Sequence, residues 1–293
     1  MTDARTITLA LHGRWCGSYG IDLCPAHDNR RTPALSLANG HDGKLLAKCF
    51  AGCSFIDIIE ALRGLGILEQ NGQTYVPDPE ELVRHHKADK SKQQHRIRQA
   101  RRIWDESLPV AGSLAETYLR GRAISIAVPD TLRFHPNCWH SPSARRHPAL
   151  VGKVERHGRP IGVMRTYLGP IGGKAQVENP KMALGVCAGG AVRLSGRSGP
   201  LVLCEGIETG LSLLSGLQDA SPRVWAALST SGMVGLVLPR NPGELVLAPD
   251  GDAPGREAAN KLAGRASAAG WRVRIMDCPD GSDWNDVESE VAA

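Results

Sequence analysis

Short apolar runs alternate with stretches of helical periodicity in the last third of the chain. The runs of strand character are 201–204, 224–228, 245–248 and 271–276. The helical stretches between them are 208–217, 233–238 and 256–269. In the last stretch, small and apolar residues recur at helical spacing from Ala259 to Ala269. Strands that alternate with helices in this way predict a parallel sheet covered on both faces.

The pattern differs in the rest of the chain and predicts an α/β protein of several parts. Residues 1–68 contain paired Cys and His residues and end in an apolar helix at 55–65. Residues 69–107 are polar and predict a basic helical linker, with its helix from about Glu80 to Trp104. Residues 108–198 are rich in Gly, Pro and basic residues, which indicates a mixed α+β subdomain. The parallel sheet then occupies 199–293.

Composition narrows the class of protein further. The chain has 293 residues, a net charge of +5 and eight cysteines. No apolar run reaches the ~20 residues that span a membrane, and no signal pattern opens the chain, so we expect a soluble, cytoplasmic protein without membrane contacts. Because disulfides are rare in cytoplasmic proteins, we do not expect the eight cysteines to form a disulfide scaffold.

Positive charge is concentrated in the predicted linker. The residues are Arg84, Lys87, Lys90, Lys92, Arg96, Arg98, Arg101 and Arg102. A cluster of this kind suits a polyanion such as nucleic acid. The alternative is a solvated helix face.

Two pairs of metal-ligating residues lie near the N-terminus. Cys24 and His27 form the first pair, and Cys49 and Cys53 form the second. Three thiolates and one imidazole favour a tetrahedral Zn²⁺ site, and four protein ligands make it structural. The alternative is a set of buried free cysteines. A second group, His135, Cys138, His140 and His147, has irregular spacing, and we interpret it as a His-rich loop rather than a metal site.

Carboxylates follow two of the predicted strands. Asp250 and Asp252 come after the run 245–248, and Glu205 comes directly after 201–204. Because sites form at the carboxyl ends of strands in an open α/β sheet, we expect the three side chains to converge. Such oxygens suit Mg²⁺ or Mn²⁺. The alternative for the two aspartates is a capped turn before a helix.

The N-terminal motif resembles the CHC2-type zinc-binding domain of bacterial and phage DNA primases. The resemblance rests on Cys24-Pro25-Ala26-His27 and on the later cysteine pair, although three residues rather than two separate Cys49 from Cys53. It implies a small zinc-ribbon-like domain that contacts single-stranded template.

The C-terminal motifs resemble Toprim domains, and the primase version in particular. The motifs are Glu205-Gly206, Asp250-Gly251-Asp252 and the segment 278–286. The resemblance implies that Asp250 and Asp252 are catalytic metal ligands and that Asp283 extends the site to a second ion. Glu205 would be a third catalytic metal ligand, or it would assist proton transfer. Two positions depart from the family, because Thr209 and Asn285 stand where acids are expected. Glu208 is adjacent to the first and could substitute for it.

The middle of the chain resembles the basic subdomain of the primase core. The matching segments are 158–165 and 179–182. Carried over residue by residue, Arg165 and Lys181 would bind nucleotide and template phosphates, and Lys174 and Arg159 are further candidates. The alternative is ordinary surface cations.

The combined resemblance implies a DNA primase of a phage, plasmid or other mobile element. Such an enzyme makes short RNA primers from NTPs on a single-stranded DNA template. Gly172-Gly173-Lys174-Ala175 lacks the features of a P-loop, so any replicative helicase would be a separate partner. Two other functions stay open: a Toprim-type metal-dependent nuclease, and a non-catalytic zinc/Toprim DNA-binding protein.

Overall fold

The computed structural model describes residues 3–17, 19–28, 32–40, 43–68, 79–196, 198–216 and 222–286. The chain forms two compact units, Met1–Pro79 and Glu80–Ala293. Residues 69–78 of the predicted linker lie outside the described residues. No described helix is both long enough and apolar enough to cross a membrane.

The first unit is a small antiparallel sheet with two helices. Its strands are β1 (Arg14–Trp15), β2 (Tyr19–Asp22), β3 (Leu35–Asn39) and β4 (Leu45–Cys49), paired in that order. Its helices are α1 (Ala4–Ala10) and α2 (Phe55–Gly64). The predicted helix at 55–65 is confirmed as α2. It begins at a capping box, in which Ser54 accepts from the Asp57 N–H and Asp57 accepts from the Ser54 N–H.

Helix α3 (Pro79–Asp105) opens the second unit and confirms the helix predicted from Glu80 to Trp104. Its described basic side chains are exposed: Lys87, Lys90, Lys92, Arg96, Arg98, Arg101 and Arg102. The apolar contacts of the helix come late, where Ala100, Ile103 and Trp104 pack against strand residues. Hydrophobic burial therefore anchors its C-terminal turns and leaves a long cationic surface in water.

The described strands of the second unit form one nine-stranded sheet. They are β5 (Leu132–His140), β6 (Arg145–Arg156), β7 (Arg159–Tyr167), β8 (Lys181–Gly185), β9 (Ala191–Arg193), β10 (Leu201–Cys204), β11 (Arg223–Ala226), β12 (Glu244–Ala248) and β13 (Arg272–Ile275). The helices are α4 (Leu114–Arg120), α5 (Ile207–Gly216), α6 (Thr230–Gly235) and α7 (Ala253–Ala268).

The sheet has a parallel half and an antiparallel half that meet at β9. Strands β13, β12, β10 and β11 are parallel, as the alternating pattern predicted. Strand β9 pairs antiparallel with β11 on one side and with β6 on the other. The α/β fold class with a mixed subdomain and a parallel sheet is therefore confirmed, and the two parts share one sheet.

Both faces of β10, β11 and β12 are buried, which explains their apolar sequences, whereas β13 at the edge of the sheet is mostly exposed. Val202 and Cys204 face one core with Ile207 and Leu211 of α5. Leu201 and Leu203 face a second core with the apolar residues of α7. The predicted position of the helix at 233–238 is wrong: α6 spans Thr230–Gly235, because Ser229 caps it by accepting from the Gly232 N–H.

Candidate functional site

The ends of strands β10 and β12 bring two acidic residues together. In the parallel register Cys204 is paired with Ala248, so the chain leaves both strands at the same edge of the sheet. Glu205 follows the first strand directly, and Asp250 follows the second after Pro249. This is the edge where parallel sheets form sites.

These two carboxyl groups each have a buried oxygen without a hydrogen-bond partner. The atoms are Glu205 Oε1 and Asp250 Oδ1, and no described residue donates to either. Burial, together with the charges of Asp250 and Asp252, raises the pKa of Glu205 to about 7. Burial, followed by Asp283 and Asp252, raises the pKa of Asp250 to about 6. Buried oxygens that repel one another fit a divalent cation, which supplies the missing positive charge.

The Asp250-Gly251-Asp252 turn is fixed against the 278–283 segment. The Gly251 N–H donates to the Ser282 carbonyl at 2.9 Å, and the Gly281 N–H donates to the Gly251 carbonyl at 2.8 Å. A Cβ on Gly251 would overlap the Pro279 carbonyl oxygen. Only glycine therefore allows the approach that places Asp283 beside Asp250.

Asp252 is the N-cap of α7. Its Oδ1 accepts from the Gly255 N–H at 2.7 Å, so the capped turn that the sequence allowed is present. One oxygen is used in the cap, and the second is left for an ion. A Cβ on Gly255 would lie 2.8 Å from Glu205 Oε1 and 2.9 Å from Asp252 Oδ1. Both carboxylates therefore pack directly against this glycine, and a larger residue would displace them.

Three cations accompany the acidic residues, and we call Arg122, Lys174 and Lys181 the cationic group. Arg122 Nη2 lies 3.9 Å from Asp283 Oδ2. Lys181 is close enough to Asp250 to oppose the rise of its pKa. Burial lowers the pKa of Lys174, and nearby Lys181 and Arg122 lower it further. Cations that repel one another in this way are suited to bind phosphate.

Glu208 is buried, and both of its carboxylate oxygens accept hydrogen bonds. The Tyr118 hydroxyl donates to its Oε1 at 2.8 Å, and the Lys181 ammonium donates to its Oε2 at 2.9 Å. Burial alone would raise the pKa of Glu208, but the charge and hydrogen bond of Lys181 outweigh burial and lower it to about 2. Glu208 therefore positions Lys181. It could replace the acid missing at Thr209 only by giving up these bonds.

The second candidate metal centre lies in the N-terminal unit. The ligand atoms of Cys24, His27, Cys49 and Cys53 all lie within 4.8 Å of one another, and His27 Nδ1 is 3.1 Å from Cys53 Sγ. Among the described residues, no other group of three or more His, Cys, Asp or Glu side chains has its ligand atoms this close together. The carboxylate oxygens of Glu205, Asp250 and Asp252 are therefore more widely spaced than these four ligand atoms. A Cys₃His group of this size fits one tetrahedral ion.

Comparison with domain families divides the second unit into two matched parts. Residues 94–194 match a family described as "Domain of unknown function (DUF7146)". Residues 200–292 match the Toprim domain. We call this matched region the Toprim domain. Its resemblance to such domains, inferred from Glu205-Gly206 and Asp250-Gly251-Asp252, is thereby confirmed.

Distant likenesses to solved structures accompany the Toprim match. The zinc-binding and RNA polymerase domains of the Aquifex aeolicus primase share 13% identity at a TM-score of 0.41, covering 100% of this chain and 82% of that chain. The RNA polymerase domain of Mycobacterium tuberculosis primase DnaG shares 16% at 0.40, covering 68% and 79%. The primase fragment of the bacteriophage T7 primase-helicase protein shares 16% at 0.36, covering 50% and 59%. A search of curated proteins returned no match.

Two predicted phosphate contacts lie away from the acidic edge of the Toprim domain. Arg165 pairs with Met182 across β7 and β8, and Lys181 pairs with the next residue, Thr166, so the two cations point to opposite faces of the sheet. Arg165 is buried and donates to the backbone carbonyls of Met182 and Trp139. Arg159 is exposed at the other end of β7. Seven residues of strand, about 23 Å, separate it from Thr166.

The structure also reveals residues that sequence reasoning missed. The motifs in the sequence assign no role in the site to Arg122, which lies 3.9 Å from Asp283, or to Tyr118, which donates to Glu208. Asn285 explains part of the departure from the Toprim primase pattern: its amide donates to the Arg122 carbonyl and to Ser212 Oγ, both at 2.8 Å. A carboxylate has no proton to donate in either bond. The chain spacing alone gave no signal for these contacts.

The interpretation of the second His/Cys group as a loop is wrong. His135, Cys138 and His140 lie in β5, and His147 lies in β6. His140 Nδ1 is 2.8 Å from Ser143 Oγ, and His135 Nε2 is 3.4 Å from Glu106 Oε2. The group therefore builds a hydrogen-bonded core on the sheet, where register shift at the bulge between His135 and Cys138 sets the spacing.

Proposed function

We propose that this protein is a DNA primase that makes short RNA primers on single-stranded DNA from NTPs by metal-dependent nucleotidyl transfer. The observation that carries the proposal is the pair of unpartnered buried oxygens on Glu205 and Asp250, with Lys181 close enough to influence Asp250. Carboxylates without partners repel a phosphate, so they serve phosphoryl chemistry only with a divalent ion.

The residues would divide the work between metal and phosphate. Glu205, Asp250 and Asp252 would hold Mg²⁺ or Mn²⁺, and Asp283 would extend the site. A bound ion would stabilise the negative charge that develops on the α-phosphate. The cationic group would bind the remaining phosphate oxygens of the nucleotide. The 3′ hydroxyl oxygen bonds to the α-phosphorus and its proton passes to Glu205 or to water, while the bond from the α-phosphorus to the α,β-bridging oxygen breaks and pyrophosphate leaves.

The other parts of the chain would serve the template. The exposed cations of α3 suit the phosphates of single-stranded DNA, because clustered Lys and Arg replace condensed counterions. Cys24, His27, Cys49 and Cys53 would hold a structural Zn²⁺ and so fold the unit that contacts template. Arg165, which is bonded to backbone carbonyls, would support strand β8 instead of binding phosphate. A replicative helicase would be a partner of this enzyme.

Primer synthesis tests the proposal directly. Full-length protein is incubated with random single-stranded DNA, labelled NTPs and Mg²⁺ or Mn²⁺, and products are separated by size. We expect short labelled oligoribonucleotides that depend on template and on Asp250. Cleavage of the DNA in place of synthesis would assign the nuclease instead. DNA binding with neither activity would assign the non-catalytic protein.

A further inference from the structure

A pocket on the second unit lies apart from the acidic residues. Its cavity encloses about 490 Å³ and is lined by Glu155, Arg156, His157, Arg193, Arg223 and Trp225, with an apolar side from Leu236 to Pro239. None of the acidic residues or the cationic group contributes to it. Its volume is in the range of small-molecule sites.

Strand register shows which face of the sheet carries this pocket. Arg193 of β9 is directly paired with Trp225 of β11, and Glu155 of β6 is paired with Ala191. Because side chains alternate, Arg193, Trp225 and Arg223 point to one face. That face carries α7 and its apolar core, which includes Ala191 and Trp225. Glu208 lies on α5, whose core is on the other face.

The pocket carries an excess of positive charge. Arg156, Arg193 and Arg223 are all half-buried, and Glu155 is the one acidic side chain in the described lining. Glu155 is already shared between Lys153, at 3.0 Å, and Arg193, at 3.6 Å. Three guanidinium groups from three strands therefore line the pocket. The one carboxylate among them, Glu155, is shared with Lys153.

The arginines are held by their neighbours and still have donors to spare. Arg223 Nε donates to the Gly199 carbonyl at 3.0 Å, and Arg156 Nη1 donates to the Ala188 carbonyl at 3.3 Å. Arg193 stacks on the Trp225 ring with its Cζ 4.8 Å from the centroid. Each guanidinium has five N–H donors, so most remain for a ligand. Guanidinium forks are suited to phosphate, and the Val237 side supplies apolar surface for a sugar or base.

The pocket also lies at the junction of the two matched domain regions. Arg156 and Arg193 belong to the part that matches residues 94–194, and Arg223 and Trp225 belong to the Toprim domain. Ligand sites form preferentially at such junctions. We propose that this pocket is a second nucleotide-binding site, specific for the phosphates of a nucleoside triphosphate and separate from the acidic edge. The proposal does not depend on primer synthesis.

Binding of labelled ATP without added divalent cation tests the proposal, because the acidic residues then repel phosphate. Full-length protein is compared with the double variant Arg156→Gln/Arg223→Gln and with Arg272→Gln, an exposed cation on β13 at the far edge of the sheet. We expect at least tenfold weaker ATP binding in the double variant and none of this loss in Arg272→Gln. Unchanged binding in the double variant would overturn the proposal, and so would loss of binding on Asp250→Asn.

A second pair of variants covers the case in which the double variant fails to fold. Val237 lines the pocket and is 37% exposed, so the fold tolerates a polar side chain there. Val237→Glu places a negative charge beside the arginines, and Val237→Gln is its neutral control. We expect the first to weaken ATP binding at least tenfold relative to the second. Equal affinities would overturn the proposal.

A short single-stranded DNA distinguishes the two sources of phosphate. An unlabelled oligonucleotide of six residues is added as a competitor of ATP in the same assay. We expect ATP to be retained until the oligonucleotide is in large excess. If the oligonucleotide binds at this pocket and ATP does not, the site serves a DNA backbone and the nucleotide assignment is wrong.

Discussion

The Lys181 ammonium lies 2.9 Å from the Glu208 carboxylate and ties strand β8 to helix α5. Glu208 is 4% exposed and also accepts from Tyr118, so the ionised carboxylate is held from two sides. This arrangement places the ammonium beside Asp250. Only one of its three N–H donors is used by Glu208, so two remain for a ligand.

Glu208→Gln should destabilise the second unit in a pH-dependent manner. The pKa of Glu208 is lowered to about 2, so its stabilising effect is fully present above the ordinary value near 4.5 and is lost as the pH falls through 2. We expect the variant to lose about 1.5–3 kcal/mol at pH 7 and progressively less towards pH 3. Denaturant unfolding followed by tryptophan fluorescence measures this difference.

The matched control for this change is Glu257→Gln. Glu257 forms an exposed pair with Lys261 at 2.7 Å on the surface of α7. Because water screens exposed pairs of this type, we expect a much smaller loss of stability in this variant. Equal losses in the two variants would show that Glu208 is no more than another surface carboxylate.

Asp250→Asn should abolish catalysis and preserve the fold. The substitution keeps the shape of the side chain and removes the charge that a divalent ion requires. We expect primer synthesis to fall by about two orders of magnitude or more, which corresponds to about 2.7 kcal/mol of transition-state stabilisation. Binding to single-stranded DNA should persist. Asp130→Asn, an exposed substitution in a loop, serves as the control, and full activity in Asp250→Asn would refute the metal assignment.

Gly255→Ala should disturb the acidic site, whereas Gly264→Ala, the same change later in α7, should not. A Cβ at Gly255 would press on Glu205 Oε1 and Asp252 Oδ1, whereas a Cβ at Gly264 meets nothing within 4 Å. Gly264→Ala should stabilise the protein by about 0.5–1 kcal/mol through helix propensity. Gly255→Ala should weaken Mg²⁺ binding, measured by calorimetry. Identical effects of the two changes would contradict the placement of the carboxylates.

Removal of zinc should unfold the N-terminal unit. We expect about one zinc per chain by elemental analysis and none in Cys53→Ser, because a tetrahedral site needs all four ligands. The control is Cys16→Ser, which lies outside the Cys₃His group. Amide exchange in the N-terminal unit should rise in Cys53→Ser and not in Cys16→Ser. A zinc content unaffected by Cys53→Ser would contradict the assignment of zinc to this Cys₃His group.

The sequence predicted the elements that are governed by local pattern. Strand β10 was predicted with its observed bounds because Leu201–Cys204 is apolar throughout and is followed by the polar Glu205. Glu205 and Asp250 were predicted to converge because parallel strands share a carboxyl edge. In both cases one periodic signal and one general rule of α/β sheets were sufficient.

The remainder depended on long-range pairing that a single chain does not display. Whether Arg165 points toward or away from Lys181 depends on the register between β7 and β8. A shift of one residue would exchange the two faces. Likewise, Arg122 is positioned by Asn285, 163 residues away in the chain. No local pattern encodes a contact of that separation.

Strand β9 makes the Toprim domain of this protein a poor candidate for expression on its own. Only three residues, Ala191–Arg193, bridge β11 to β6, and they precede the matched Toprim region. A fragment that starts at residue 200 would expose the edge of β11, because Trp225 and Ala226 would lose their partners in β9 and the Val224 carbonyl would lose the Leu194 N–H. Open apolar edges recruit other strands, so such a fragment would self-associate. A truncation that keeps residues from 108 onward would leave that edge covered.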